Sequence, residues 1–359
     1  MTSTARRHPD NPIITPDMVP PSRPDLRVLG VFNPGVTRHD GATVLLLRVA
    51  EAPVHIADDE VAAPVFDPRS RTILVRRWRR DDPDVDAGDP RMIIVDGQSW
   101  LTSISHLRVA RSGDGIHFEV EPAPALSPAT EYEAFGVEDA RISRIAGTYW
   151  INYTAVSSHG ITTALASTRD FKTFGRHGVI FPPNNRDVTI FPEQLGGRWR
   201  ALHRPMPWGL GAPAIWLATS PDMVAWGDHR LVAGPRAGMW DEVKIGGGAV
   251  PFRVRTDRRD AWLAVYHGVT GSPHRYALGA LLLDAADPSR VLGRSRAPIL
   301  QPEAPYEKSG FFAEVVFTCG LLSPNDGAAD GTVRVYYGAA DGVTAVADLS
   351  LSEIVAGLQ

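Results

Sequence analysis

The 359-residue sequence has a single cysteine, Cys319, which excludes a disulfide framework and a multi-cysteine metal site. It has no run of about 18 apolar residues, so nothing in it reads as a membrane span. Neither charge sign is in excess. The 37 Lys and Arg stand against 41 Asp and Glu, a formal net charge of −4, which excludes a broad cationic surface for nucleic acid. The N-terminal stretch MTSTARRHPDNPIITPDM lacks the apolar core of a signal peptide, so the expected location is the cytoplasm. No HExxH, CxxC or EF-hand loop occurs, and the eleven His show no ligand spacing, so no metal is expected. There is also no GxSxG nucleophile elbow.

Turn formers, in contrast, are abundant: 33 Gly and 30 Pro fill about one position in six. With 43% hydrophobic residues, the composition implies a globular chain of many short strands and few long helices. Three segments repeat: ARSGDGIHFEV, ASTRDFKTFGRHGV and ATSPDMVAWGDHRLV. Each carries a Ser or Thr, then an Asp, then an aromatic four residues later. The aspartates Asp114, Asp170 and Asp222 step by 56 and 52 residues, as do Phe118, Phe174 and Trp226. An Asp in a tight turn followed by an aromatic that opens the next strand is hairpin chemistry.

A second pattern recurs five times, an apolar strand interrupted by a polar residue: Arg48, Thr154, Arg204, His267 and the region of Gly338. Another apolar strand precedes each. The separations Asn33 to Arg48, Asp139 to Thr154 and Thr189 to Arg204 are all 15 residues. Five hairpins in register predict an all-β chain folded as a five-bladed β-propeller with a central axial active site. Two β-sandwiches would explain the hairpins but not the five-fold register. The expected organisation is an N-terminal extension over 1–28, a catalytic propeller over 29–345 and a C-terminal segment over 346–359. Residues 51–98 break the pitch and form an insertion into or after the first blade. Its VRRWRR run is followed at once by DDPDVDAGD, which suits a self-compensated surface, a rim or a contact between copies in a homo-oligomer.

In a propeller the innermost strands converge, so their polar residues are candidates for one site. FGVEDARI sets Glu138 and Asp139 in an apolar strand, where alternation lets only one of them face the centre. A buried carboxyl is costly unless paired, and its pKa rises toward what a general acid needs. The alternative is a salt bridge between Glu138 and Arg141. Arg186, Arg204, Lys244 and His267 form a cationic set from successive blades, suited to a phosphate by fork geometry and point charge. The alternative here is separate pairing with Asp187, Glu193, Asp241 or Glu242. Gly246, Gly247 and Gly248 allow close backbone approach, but no P-loop Lys-Ser/Thr follows them. Cys319, on an apolar strand, is expected to be a buried core thiol.

These residues resemble glycoside hydrolase family 130, the mannoside phosphorylases and β-mannosidases on five-bladed propellers. The resemblance runs from about Asn33 to Asp341. It rests on FNPGVTRHDGATVLLLRVAE, SISHLRVARSGDG, FGVEDARI, NNRDVTIFPE, ALHRP, WDEVKIGGG, YHGV, LLLDAADPSRV, PILQPEAPYE, VVFTCG and YYGAAD. Ala140 departs from the family pattern, which more often has Pro after the Asp. The long insertion and SISHLRVARS look most like the branch acting on β-1,2-linked mannobiose and oligomannan.

The resemblance implies a role for each matching position. Asp139 matches the general acid, which in the family is thought to protonate the glycosidic oxygen through the mannosyl 3-hydroxyl. Arg186, Arg204, Lys244 and His267 match phosphate-binding positions. Asn33, Arg48 and Asp341 match positions that hold the mannosyl ring in the −1 subsite. Hydrolytic members lack the phosphate cations and place carboxylates there as general base, whereas this chain keeps the cations. The expected activity is therefore inverting phosphorolysis of a β-mannoside, with inorganic phosphate as co-substrate, no other cofactor, and no nucleic-acid or membrane partner. A β-mannosidase using water and a non-catalytic mannoside-binding propeller are the alternatives.

Overall fold

The computed structural model describes residues 5–256, 259–327 and 331–358. Antiparallel strands dominate, as the composition requires, and the only α-helices among the described residues are Pro305–Lys308 and Leu351–Ala356. No described helix is long and apolar enough to cross a membrane.

Five antiparallel units follow one another along the chain, the fourth five-stranded and the other four four-stranded. Unit one comprises Leu26–His39, Ala42–Pro53, Ile104–Ser112 and the short Glu119–Val120. Unit two comprises Gly136–Ile145, Thr148–Ser157, Gly160–Thr168 and Gly175–Phe181. A single parallel pair, Gly136 with Ser105, joins these two into one sheet. Unit three comprises Asn185–Ile190, Trp199–Pro205, Ile215–Ser220 and Gly227–Ala233. Unit four has Lys244–Gly247 and Phe252–Arg255 along Asp260–Thr270, then Arg275–Asp284 and Val291–Arg294. Unit five comprises Val316–Leu322, Thr332–Ala339 and Val343–Ser350, and its outer edge is completed from the other chain end by Arg6–Arg7. Residues 6–7, read from sequence as part of an extension, thus lie in a sheet, and the expected boundary at 345/346 falls inside the last strand.

Local chemistry explains the hairpins. Asp114 Oδ1 accepts the backbone N–H groups of Ile116 and His117, Asp170 Oδ1 those of Lys172 and Thr173, and Asp222 Oδ1 those of Val224 and Ala225. The preceding hydroxyls of Ser112, Thr168 and Ser220 accept a further N–H in each turn. Unit four has the same device at Asp284, which accepts from Ala286 and Asp287. Its sequence escapes the repeat because Pro288 stands where the other copies have an aromatic.

The long apolar runs have a packing reason. Along Ala42–Pro53, Val44 and Leu46 join a cluster with Ile151 and Tyr153 of unit two, while Leu45, Leu47 and Val49 join one with Tyr336 and Val346 of unit five. Along Asp260–Thr270, Leu263 and Val265 pack with unit five, and Trp262, Ala264 and Tyr266 with unit three. Leu165 and Phe181 of unit two pack with Ile190 and Ala201 of unit three. A strand buried on both faces loses the alternation of a half-exposed one. Each fully buried Leu, Val or Phe contributes roughly 1.5–3 kcal/mol.

The insertion lies within unit one, between its second and third strands. It folds as a hairpin, Glu60–Asp67 with Thr72–Arg79, and a three-stranded sheet, Val85–Asp89, Met92–Val95 and Gln98–Leu101. Its basic run is compensated locally, Arg77 by Glu60 and Arg79 by Asp59 and Asp81.

Candidate active site

A shared irregularity in the first strands shapes the site. In unit one the register shifts between Phe32 and Gly35, in unit two between Glu138 and Arg141, and in unit three between Arg186 and Thr189. Each shift is a β-bulge whose first residue has positive φ: Asn33 at 49°, Asp139 at 51° and Asp187 at 57°. Asn and Asp tolerate this left-handed conformation better than other side-bearing residues. Opposite the residue before each bulge stand Arg48, Thr154 and Arg204, and His267 faces Gly246 at the matching place in unit four. The equal 15-residue spacing therefore misleads in unit three. Its first turn spans residues 191–198 rather than two, so the counterpart of Asn33 and Asp139 is Asp187, not Thr189.

The bulge also undoes the alternation expected at Glu138 and Asp139, and both carboxylates meet Arg48. Arg48 Nη2 donates to Glu138 Oε1 at 2.8 Å, Nη1 to Asp139 Oδ1 at 3.3 Å, and Nε to Ser105 Oγ at 3.1 Å. Ser105 belongs to the SISHLRVARS stretch. Asn33 Nδ2 donates to the same Asp139 Oδ1 at 3.0 Å. Asp139 Oδ2 has no hydrogen-bond partner among the described residues. Arg141 is not the partner of Glu138; it donates to Asp187 and to the carbonyls of Gly247, Gly248 and Asp139. Burial pushes the Glu138 carboxyl above its ordinary range against the pull of Arg48, with Asp139 adding to the rise. Burial likewise lifts Asp341 to about 6, opposed by Arg48 and reinforced by Asp139 and Glu138. The Asp341 side chain has no hydrogen-bond partner among the described residues. Gly338 makes room for this group, since a Cβ there would lie 2.1 Å from Asn33 Oδ1.

The cationic residues gather beside it, and Asp187, one of the alternative partners read from the sequence, pairs with Arg204 at their centre. Arg204 Nε donates to Asp187 Oδ2 at 2.5 Å, Arg141 Nη2 lies 3.4 Å from Oδ1, and His267 Nε2 lies 3.6 Å from Oδ2. Burial opposes ionisation of Asp187, yet the permanent charges of Arg204, Arg141 and Arg186 hold it well below the usual carboxylate range. Burial lowers His267 to about 3 despite Asp187, with Arg204 and Lys244 adding to the fall. The ring is thus neutral at pH 7, and Arg204 with Arg141 balances Asp187. A Cβ on Gly246 would lie 2.4 Å from Asp187 Oδ2, so this cluster requires glycine there.

Arg186 and Lys244 differ from this inner group. They are half-buried, and no described carboxylate lies within salt-bridge distance of either. Arg186 Nε is buried without a partner. Lys244 Nζ sits 4.9 Å from the centroid of the Tyr276 ring. Burial lowers Lys244 to about 8, helped by Arg204 and Arg186. The other carboxylates considered from sequence are engaged elsewhere: Glu193 with Arg253, Asp241 with Arg236 and Arg294, and Glu242 with backbone N–H groups. Cys319 is buried, as expected. Among the described residues no group of three or more His, Cys, Asp and Glu has the arrangement of a metal site.

A family model described as β-1,4-mannooligosaccharide phosphorylase matches residues 98–359. The chain belongs to glycoside hydrolase family 130. It is 44% identical to the β-1,2-mannobiose phosphorylase of Listeria innocua over 98% of each chain. It is 37% identical to the 1,2-β-oligomannan phosphorylase of a Thermoanaerobacter species, over 70% of this chain and 80% of that one. The crystal structure of the Listeria innocua enzyme with β-1,2-mannobiose superposes with a TM-score of 0.93, covering 99% of both chains. The family resemblance read from the motifs is therefore correct. What sequence reasoning missed in this family 130 site is Asp187 as its electrostatic centre and Arg141 as the residue that ties Asp187 to the backbone of units two and four. Their signal was the bulge motif itself, an Asp in a strand followed by a small or β-branched residue.

Proposed function

We propose that this chain is an inverting β-mannoside phosphorylase acting on β-1,2-mannobiose or short β-1,2-oligomannan. The observation that carries this reading is the unpaired Arg186–Lys244 pair beside an Asp187 already engaged by Arg204 and Arg141. Cations without a carboxylate partner suit an incoming anion, and an Arg fork with a Lys point charge fits phosphate. Hydrolysis would need a general base with a pKa near neutrality on that side. Asp187, held far below that range, is a poor one.

In this reading phosphate is held by Arg186, Arg204, Lys244 and His267, and its oxygen attacks the anomeric carbon. The bond from that carbon to the glycosidic oxygen breaks on the opposite face, and Asp139 supplies the proton the leaving oxygen takes. Asn33 and Arg48 fix one oxygen of Asp139 and leave Oδ2 open toward the sugar. Asn33, Arg48 and the unpartnered Asp341 hold the mannosyl ring. Holding both reactants in line converts a two-body encounter into a positioned step. The products are α-mannose 1-phosphate and a mannoside one unit shorter. The protein is cytoplasmic in this reading, and phosphate is its only co-substrate.

The same proposal includes closure of the five units into a five-bladed propeller over residues 29–345, with 51–98 as its insertion. Its support is that each neighbouring pair, including units five and one, shares a hydrophobic cluster. The test of the substrate is initial rates of mannose 1-phosphate formation from β-1,2-mannobiose and β-1,4-mannobiose at equal concentration. A preference for the 1,2 linkage is expected; a preference for the 1,4 linkage overturns the linkage assignment.

A further inference from the structure

The insertion packs against the rest of the protein at two places. At one end Val65, Trp100 and Leu101 pack on Phe135 and Val156 of unit two. At the other, the tip between Val85–Asp89 and Met92–Val95 lays Arg91 on Phe312, with the guanidinium carbon 4.8 Å from the ring centroid. Phe312 precedes unit five, and its N–H donates to the carbonyl of Ala340, the neighbour of Asp341. Phe312 stands edge-on to Tyr276 at 6.1 Å, and Tyr276 in turn carries Lys244. The insertion therefore touches both unit two and the segment that leads into unit five, beside Tyr276 and Lys244.

Arg91 is anchored there. Its Nε and Nη2 donate to Asp89 at 3.0 and 2.7 Å, and its backbone N–H donates to the same carboxylate. Nη1 has no acceptor among the described residues. A planar cation held on an aromatic face by a bidentate carboxylate loses little freedom on forming a further hydrogen bond. The Asp341 carboxylate lies within electrostatic reach of it and also lacks a hydrogen-bond partner. A free donor and a free acceptor within electrostatic reach of one another match a hydroxyl, which both accepts and donates.

Building on the phosphorylase reading, we infer that Arg91 binds the hydroxyls of the acceptor sugar, the mannosyl unit that leaves in phosphorolysis, and that the insertion thereby selects the acceptor. The family model begins at residue 98, after Arg91. The two relatives named above are both phosphorylases of 1,2-linked mannosides by name and differ in the chain length named, a property of the leaving part.

The synthetic direction tests this, because donor and acceptor are varied separately. With α-mannose 1-phosphate and mannose as substrates and phosphate release as readout, Arg91→Ala raises the KM for mannose about 10-fold, the loss of one hydrogen bond to a charged group. The KM for mannose 1-phosphate stays within about twofold. Asp89→Ala, which keeps Arg91 but frees it, raises the mannose KM by a smaller factor. The thermal midpoint of both variants stays near that of wild type, because an exposed Arg–Asp pair contributes little to stability. An unchanged mannose KM in both variants overturns the inference and leaves the phosphorylase reading intact. An equal rise in the KM for mannose 1-phosphate overturns it in favour of a phosphate contact. A wild-type protein that releases no phosphate overturns both.

Discussion

On the side of the site built by units one, two and five, Arg48 meets two carboxylates, Glu138 and Asp139. On the side built by units three and four, Asp187 accounts for Arg204, while Arg186 and Lys244 have no carboxylate within reach. Both sides rest on the same device, a bulged Asp with positive φ in a first strand. The difference lies in what surrounds it. Asp139 keeps one oxygen free for a neutral, hydroxyl-rich ligand and a proton, whereas Asp187 has both oxygens engaged and serves to hold cations at the edge of an anion site. One backbone feature, repeated by the fold, thus serves acid chemistry in unit two and charge placement in unit three.

The largest effect expected from breaking this contrast is on catalysis. Asp139→Asn keeps shape and suits the left-handed backbone, but it delivers no proton. Steady-state assays should show kcat reduced by about 10²- to 10⁴-fold, the usual range for a general acid, with the fold retained. The same substitution at Asp187 should act on stability instead. It leaves the buried Arg204 and Arg141 uncompensated, so urea unfolding should show a loss of about 3–5 kcal/mol. If Asp187→Asn leaves stability unchanged and only slows turnover, the two aspartates do not divide the work as described.

Lys244→Ala removes a cation that no carboxylate balances. It should raise the KM for phosphate by about 10- to 100-fold, equivalent to the 1.5–3 kcal/mol of a charge-assisted bond, while the KM for mannobiose moves much less. Its cost in unfolding free energy should be about 1 kcal/mol or less, the size of its contact with Tyr276. A smaller effect is expected on the pH profile. Burial lowers Lys244 to about 8, so it is a cation below that pH and loses its charge above it. The kcat/KM for phosphate should fall as pH rises through 8, and Lys244→Arg should push that limb to higher pH. Asp341, lifted to about 6 chiefly by burial, is ionised above that pH and neutral below it, so the KM for mannobiose should rise as pH falls through 6.

Most of the architecture was legible because it is written locally. The Asp turns at 114, 170 and 222 bind their own backbone, and hairpins of similar length bring them round at steps of 56 and 52 residues. The fourth turn, at Asp284, uses the same bonds without the aromatic, and the pattern missed it for that reason. The candidate site was legible as a list of residues but not as a geometry. A bulge shifts which neighbours share a face, so alternation alone separated Glu138 from Asp139, although both meet Arg48. The closing of unit five by Arg6–Arg7 and the placement of Arg91 on Phe312 join residues far apart in sequence, and no local pattern encodes either contact.

The central claim is that the unpaired cations receive phosphate as the nucleophile. It is tested most directly by incubating wild-type protein with β-1,2-mannobiose in phosphate-free buffer and in saturating phosphate, and identifying the products. The account predicts turnover only with phosphate, giving one α-mannose 1-phosphate and one mannose per disaccharide. Equal rates without phosphate, with two mannoses released per disaccharide, would contradict it.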